Sequence, residues 1–208
     1  QNRGVAVLFG DGCAAVVLQA TDREEGLLAE RLGCDSDARH TLVVAGMGTR
    51  YADFTRSYGD TNWTFEGQEI FKRAVLGMSG ACADVLSGRH LTPDDISLVV
   101  PHQANLRIIE AVAKRAGVPM ERVFVNVHRY GNMSAATVPV ALVEAIEQGR
   151  VQPGSLILMP AFGAGLQLLQ AVLEAAHHLV CGAGVFHQQP TDLGQPHLAG
   201  GFGRACGR

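Results

Sequence analysis

The sequence predicts an α/β domain in which a mixed sheet is covered by helices. Two observations lead to this fold class. Short apolar runs, which are typical of buried strands, alternate with longer segments whose apolar residues recur every three or four positions, as in helices. The chain has 208 residues, of which 47% are hydrophobic, so it is long enough to bury a core within one domain.

The first elements predicted are a buried hairpin and a short strand. Residues 5–9 and 14–18 are apolar runs joined by Gly10-Asp-Gly12, and an Asp-Gly pair between such runs predicts a β-hairpin. Residues 21–41 are polar and are predicted to form a connection. A short strand is expected at residues 42–45.

The rest of the domain is predicted as three helices and four strands. The helices are expected at residues 67–86, 103–116 and 137–148. The strands are expected at residues 97–100, 123–127, 155–160 and 166–173. The first helix carries an apolar stripe at helical spacing, formed by Phe71, Val75, Met78, Cys82 and Val85. Because Cys82 belongs to this stripe, we expect it to pack in the core rather than to react.

Composition divides the chain at about residue 175. Residues 1–175 carry the α/β pattern, whereas residues 176–208 are rich in glycine and without a sustained period. The tail holds four of the eight histidines, His177, His178, His187 and His197. We expect it to be disordered or loosely attached, and the irregular spacing of its histidines gives little support for a metal site.

Charge and composition argue against several classes of function. The formal net charge is −3 and lysines and arginines do not cluster, which argues against nucleic-acid binding. No apolar run is long enough to span a membrane and no signal pattern is seen, so a cytoplasmic protein is expected. The five cysteines lack a C-x-x-C pair, so neither a disulfide framework nor a metal site is expected. The opening residues have the pattern of a mid-domain strand, as if cut from something longer.

Three segments that follow predicted strands carry polar or glycine residues that a core does not need. Residues 101–105, Pro-His-Gln-Ala-Asn, place His102 before a helix whose dipole would keep the imidazole neutral. Residues 130–134 offer the amide donor of Asn132. Residues 162–165, Phe-Gly-Ala-Gly, form a turn whose backbone N–H groups could face a reacting carbonyl. Taken singly, each segment is more often structural.

Taken together, the three segments resemble the β-ketoacyl-acyl-carrier-protein synthase III family in order and spacing. The stretch Pro-His-Gln-Ala-Asn-Leu-Arg at residues 101–107 is specific, and Gly-Asn-Met-Ser at 131–134 and Ala-Phe-Gly-Ala-Gly at 161–165 agree with it. The opening Phe-Gly-Asp-Gly at 9–12 is also similar. The resemblance covers about residues 3–173. It implies a thiolase-like C-terminal half, with a mixed five-stranded sheet and helices on its faces.

The resemblance implies a decarboxylative Claisen condensation, in which acyl-CoA and malonyl-ACP give 3-oxoacyl-ACP, CoA and CO2. His102 and Asn132 would hold the malonyl thioester carbonyl while the carboxylate leaves. The backbone N–H of Ala164 would match the oxyanion hole for the acyl-cysteine, although the family has glycine there. CoA and acyl-carrier-protein thioesters would be the substrates, and neither a cofactor nor a metal is implied.

The same matching places five residues along the pantetheine arm of CoA or of the carrier protein. Arg107 and Asn105 would meet the arm, and Gly67, Gln68 and Phe71 would line its tunnel, although Phe71 fits the core stripe equally well. The implied partners are acyl carrier protein, acyl-CoA, the N-terminal half of the same enzyme and a homodimer partner. Neither nucleic acid nor a membrane is implied.

The family's cysteine nucleophile lies in its first half, and none of the cysteines here matches it. We therefore expect the chain alone not to condense, and to self-associate through an exposed apolar helix face. Two alternatives stay open. One is an acyltransferase or polyketide-starter enzyme of the same fold, against which the presence of both His102 and Asn132 argues. The other is a non-catalytic fragment that pairs with an N-terminal half, which the tail favours.

Overall fold

The computed structural model describes residues 3–20, 22, 25–38, 40–45, 62–163, 167–174 and 181–184. The helices are α1 (Arg3–Ala6), α2 (Gly67–Gly88), α3 (Leu106–Arg115), α4 (Val127–Tyr130) and α5 (Thr137–Glu147). The strands are β1 (Cys13–Val16), β2 (Gly26–Cys34), β3 (Leu42–Ala45), β4 (Asn62–Phe65), β5 (Leu98–Val99), β6 (Leu156–Gly163), β7 (Gln167–Glu174) and β8 (Cys181–Gly184). In the described ranges, no helix is long and apolar enough to cross a bilayer.

The central sheet is mixed, as the sequence predicts. Its strands lie in the order β2-β7-β6-β5. β7 pairs antiparallel with both β2 and β6, whereas β5 pairs parallel with β6. The parallel pair matters for function because its two strands end at the same edge of the sheet.

The sheet described here has four strands rather than the expected five. The strand predicted at residues 123–127 is reduced to a single bridge between Val123 and Val99. The ladder ends there because the backbone N–H groups of Asn126 and Val127 donate to the side chain of Gln103 instead of to a strand partner.

Apolar side chains on both faces of β5 and β6 form the core. Val99 and Leu158 belong to a cluster with α2 and α3, to which Cys82 also contributes. Leu98 and Ile157 are their neighbours in sequence and therefore point to the opposite face, where they pack with residues of α5. Helices thus cover both faces of the sheet, and the prediction that Cys82 packs in the core is confirmed.

The apolar stripe of α2 is covered along only part of its length. Met78, Cys82 and Val85 are buried as predicted, but Phe71 is 37% exposed. Phe71 lies on the same helical face, near the start of the helix, and the described residues leave its ring partly uncovered. Periodicity identifies which face of a helix is apolar, but not how far along the helix that face is covered.

The hairpin predicted at residues 5–9 and 14–18 is wrong. The chain forms the short helix α1 there, and β1 pairs antiparallel with β8 rather than with a preceding strand. The intervening Gly-Asp-Gly segment is held elsewhere, since the N–H of Gly10 donates to the carbonyl of Asn132 at 3.1 Å. Pairing with a distant segment thus overrides the hairpin preference of the Asp-Gly pair.

The polar connection predicted at residues 21–41 contains the edge strand β2, so this prediction is also wrong. β2 pairs with β7, yet it exposes Leu27 and Leu32 by 59% and 64%. An edge strand with one open face lacks the apolar run that identifies a buried strand. The strand expected at residues 42–45 is confirmed as β3, and it pairs with β4, which the sequence did not indicate.

The predicted tail contributes one described element, β8, which pairs with β1. The rest of residues 176–208 lies outside the described residues. The boundary near residue 175 and the character of the tail therefore stay predictions.

Candidate active site

Two of the predicted segments meet at the edge where β5 and β6 end. β5 leads directly into residues 101–105, and the backbone N–H of His102 donates to the carbonyl of Pro160 in β6 at 2.8 Å. Phe162, near the end of β6, places its ring edge-on to the ring of His102, with centroids 5.5 Å apart. The parallel pairing of two strands thus brings His102 beside the start of the glycine-rich turn.

His102 is a buried, neutral imidazole. The residue is 7% exposed, and burial lowers the pKa of its ring from 6.5 to about 4. The helix dipole suggested by the sequence is not the cause, because α3 begins only at Leu106, after the N-cap Asn105. At neutral pH the ring therefore has one N–H donor and one acceptor nitrogen.

Asn132 is fixed through both its backbone and its side chain. Its N–H donates to the carbonyl of Leu8 at 2.9 Å, and its carbonyl accepts from Gly10 at 3.1 Å. Its side-chain Oδ1 accepts the backbone N–H of Ser134 at 2.9 Å, which leaves the amide N–H2 as the donor end of this side chain. A Cβ on Gly10 would lie 1.8 Å from the carbonyl oxygen of Tyr130, so only glycine allows this approach.

His102 and Asn132 belong to one hydrogen-bonded cluster. The ring Nδ1 of His102 lies 2.5 Å from the hydroxyl of Thr137, which lies 3.0 Å from the carbonyl of Ser134. The amide of the same Ser134 holds the side chain of Asn132. Thr137 and Ser134 therefore link the two side chains, which come from separate loops, and the catalytic roles of His102 and Asn132 stay predictions.

Gln103 joins the loop that carries His102 to the segment that leads into α4. It is fully buried, and its amide group donates to the carbonyls of Pro101 and Phe124 at 2.8 and 3.1 Å. Its oxygen accepts the backbone N–H groups of Asn126 and Val127 at 3.0 and 3.2 Å. Sequence reasoning missed this role. The available signal was a glutamine at a strand end, where a buried amide needs four partners.

Glu144 of α5 holds the segment that leads to Asn132. It accepts from the side chains of Asn126 at 3.0 Å and Arg129 at 2.9 Å, and also from the hydroxyl of Tyr130. Burial is the first cause that raises the pKa of Tyr130, with this hydrogen bond next. α4 is thereby tied to α5, and the loop at Asn132 starts from a fixed point.

The residues predicted to meet the pantetheine arm have different surroundings. Asn105 is the N-cap of α3, and its Oδ1 accepts the N–H of Ile108 at 3.0 Å. Arg107 is exposed in the first turn of that helix, as are Gly67 and Gln68 at the start of α2. Their roles in binding stay predictions.

A cavity of about 330 Å³ has in its wall Phe162, whose ring contacts that of His102. Its other lining residues are Asp35, Glu69, Lys72, Arg73, Ala74, Leu76 and Gly77, so α2 forms most of it. Arg73 pairs with Glu69 at 2.5 Å and also with Asp35, which leaves Lys72 as the cation of the lining outside these pairs. The predicted tunnel residues Gly67, Gln68 and Phe71 are not among the residues that line it.

Comparison with known proteins identifies the family. The model of the C-terminal part of 3-oxoacyl-[acyl-carrier-protein] synthase III matches residues 86–175, and a second model of the same family matches residues 1–36. The chain belongs to the 3-oxoacyl-[acyl-carrier-protein] synthase III family. The match to the C-terminal model spans His102, Asn132 and the glycine-rich turn.

Relatives from several bacteria have the same family name. The chain is 49% identical over 165 residues to a β-ketoacyl-[acyl-carrier-protein] synthase III 2 of Vibrio cholerae, covering 79% of this chain and 46% of the relative. It is 50% identical over 175 residues to a synthase III of a Roseiflexus species, covering 83% and 53%. The chain thus spans about half the length of the curated relatives it matches.

A solved synthase III has the same fold. The crystal structure of the synthase III from Thermus thermophilus superimposes with a TM-score of 0.75 at 43% identity, covering 85% of this chain and 54% of that one. The fold class implied by the sequence resemblance is therefore confirmed. Ala164, expected at the oxyanion hole of a synthase III, lies outside the described residues, so that expectation stays a prediction.

Proposed function

We propose that this chain supplies the decarboxylation site of an initiating fatty-acid condensing enzyme. The overall reaction converts acyl-CoA and malonyl-ACP into 3-oxoacyl-ACP, CoA and CO2. The observation that carries the proposal is the series of contacts through Thr137 and Ser134 that links His102, at the end of the parallel strand pair, to Asn132. Membership of the synthase III family supports the same reaction class.

His102 and Asn132 would act on one atom, the thioester oxygen of the malonyl group. The C–C bond to the carboxylate breaks and CO2 leaves. The electron pair of that bond forms an enolate, whose negative charge lies mainly on the thioester oxygen. A ring N–H and an amide N–H2 aimed at the oxygen stabilise this charge. Removing one such donor typically lowers the rate by about 10²–10³. The enolate carbon then attacks the acyl thioester, and the thiolate leaves.

Burial makes the imidazole suited to this task. The low pKa of His102, about 4, keeps the ring neutral at physiological pH, so it donates a hydrogen bond without giving up a proton. A donor in a site sheltered from water also interacts more strongly with a developing charge than the same donor in bulk solvent.

The partners follow from the substrates. The cavity beside Phe162 and the exposed Arg107 support an approach of the CoA or carrier-protein arm toward His102 along α2 and α3. The acyl-accepting cysteine would come from the N-terminal half of the enzyme, as the family resemblance implies, and Cys82, which lies on α2, is buried in the core. A homodimer partner and a cytoplasmic location belong to the same proposal.

The test is to assay the chain with and without an upstream half. We would incubate the 208-residue chain with acyl-CoA and malonyl-ACP, alone and co-expressed with the N-terminal part of the Roseiflexus relative. We expect 3-oxoacyl-ACP only from the combined protein. Condensation by the chain alone would refute the prediction that the chain lacks the cysteine nucleophile. A combined protein that is acylated but releases no CO2 would refute the decarboxylation site.

A further inference from the structure

Thr137 lies beside His102, and the direction of its hydroxyl hydrogen decides which nitrogen of the His102 ring can donate a hydrogen bond. Its hydroxyl is 2.5 Å from Nδ1 of the ring, and Thr137 is fully buried. In the part of the chain that the structure describes, no other group is hydrogen-bonded to this ring. We propose that Thr137 is a positioning residue, which donates to Nδ1 of His102 and so keeps the ring hydrogen on Nε2.

The hydroxyl has one hydrogen and two neighbouring acceptors. One is Nδ1 of His102 at 2.5 Å, and the other is the carbonyl of Ser134 at 3.0 Å. If the hydrogen points to Ser134, Nδ1 must itself be protonated, because two lone pairs at 2.5 Å would repel each other. Nε2 would then be an acceptor, unable to stabilise an oxyanion. If the hydrogen points to Nδ1, Nε2 carries the ring hydrogen.

The second arrangement is the one that agrees with the chemistry of the proposed reaction. The 2.5 Å contact between Nδ1 and the hydroxyl holds a hydrogen in either arrangement, so the reaction, not the distance, selects between the two. The inference rests on the proposed function, because only a ring with Nε2–H can donate to the thioester oxygen. A partner at one ring nitrogen commonly decides which tautomer a histidine adopts.

Local structure holds the hydroxyl in place. Thr137 is the first residue of α5, and it follows a 3₁₀ turn over Ser134–Ala136. Ser134 has a φ of +55°, in the left-handed region that a serine rarely occupies. In this conformation its N–H holds Asn132 while its carbonyl faces Thr137. One strained turn thus fixes the orientation of both donors.

Nitrogen NMR reads the tautomer directly. In the 208-residue chain labelled with ¹⁵N-histidine, the His102 signals are those that disappear in His102→Gln. At pH 7 we expect a protonated Nε2 and an unprotonated Nδ1, in the wild type and in Thr137→Ser. A protonated Nδ1 in the wild type would overturn the proposal, whatever the activity. The measurement does not depend on whether a Thr137 variant without a hydroxyl folds.

Activity gives a second, separate readout. In the combined protein with an upstream half, Thr137→Val replaces the hydroxyl by a methyl group of similar size. We expect malonyl decarboxylation to fall about 10²-fold, as for a misplaced catalytic group, with acylation by acyl-CoA within a few-fold of the wild type. Thr137→Ser should restore decarboxylation. An unchanged decarboxylation rate in Thr137→Val would overturn the proposal. If decarboxylation is lost in His102→Ala but unchanged in Thr137→Val, the proposed function holds and the role of Thr137 is refuted.

Discussion

Acidification is expected to destabilise this protein through His102. The folded chain holds the ring with a pKa of about 4, against the ordinary value of 6.5. Between these two pH values the unfolded chain binds a proton that the folded chain does not. The free energy of unfolding therefore falls as the pH falls through this interval, by about 1.4 kcal/mol per pH unit at most. The total loss is about 3 kcal/mol, and the pH dependence due to His102 fades about one pH unit above 6.5.

Urea unfolding followed by circular dichroism would measure this loss at several pH values between 7 and 4. His102→Asn removes the titrating ring, and His128→Asn is a matched change at an exposed histidine of α4. From pH 7 to pH 4 the wild type should lose about 3 kcal/mol more than His102→Asn. His128→Asn should follow the wild type. Parallel curves for the wild type and His102→Asn would refute the reasoning that the buried ring is kept neutral by desolvation.

Three further predictions concern the frame of the site. Gln103→Leu leaves the backbone groups of Pro101, Phe124, Asn126 and Val127 without their side-chain partner, and it should lower the free energy of unfolding by about 2–5 kcal/mol in urea titrations. The control Gln148→Leu, at an exposed position, should change it by less than about 0.5 kcal/mol. Asn105→Ala removes the N-cap of α3 and should lower the free energy of unfolding by about 1 kcal/mol. Asn105→Asp should keep the cap, so a loss of CoA affinity in Asn105→Asp reports a binding role rather than a folding defect. The chain alone should self-associate and bind a hydrophobic dye, because Leu18 and Leu76 are 89% and 45% exposed, and a monodisperse, dye-free monomer in sedimentation would contradict this.

The elements around the site could be predicted because their signals are local. The strand that ends before His102 is a short apolar run, and the helix that begins at Thr137 has regular apolar spacing. α2 extends over residues 67–88, close to the predicted 67–86. Each of these elements is buried against the core, so its composition alone carries the information.

The errors fall where a distant partner decides the structure. The Asp-Gly pair predicts a hairpin, yet Gly10 pairs with Asn132, far along the chain. The strand expected at residues 123–127 gives way because a side chain, Gln103, takes up its backbone N–H groups. No local pattern contains such long-range pairings.

The candidate site was predicted as a set of residues, but not as a network. His102 and Asn132 are identified by their motifs, and the structure brings both into one cluster. The roles of Thr137 and Gln103 were missed because a threonine at a helix start and a glutamine at a strand end have ordinary structural explanations. Their importance emerges only from the distances to atoms in other segments.

The central claim is that two side chains act on one thioester oxygen. In the combined protein with an upstream half, we would compare CO2 release from malonyl-ACP with cysteine acylation from acyl-CoA in His102→Ala, Asn132→Ala and the double variant. Each single change should slow decarboxylation by about 10²–10³ and leave acylation within a few-fold of the wild type. The double variant should lose less than the product of the two, because both groups serve the same charge. Equal losses in both steps would contradict the account.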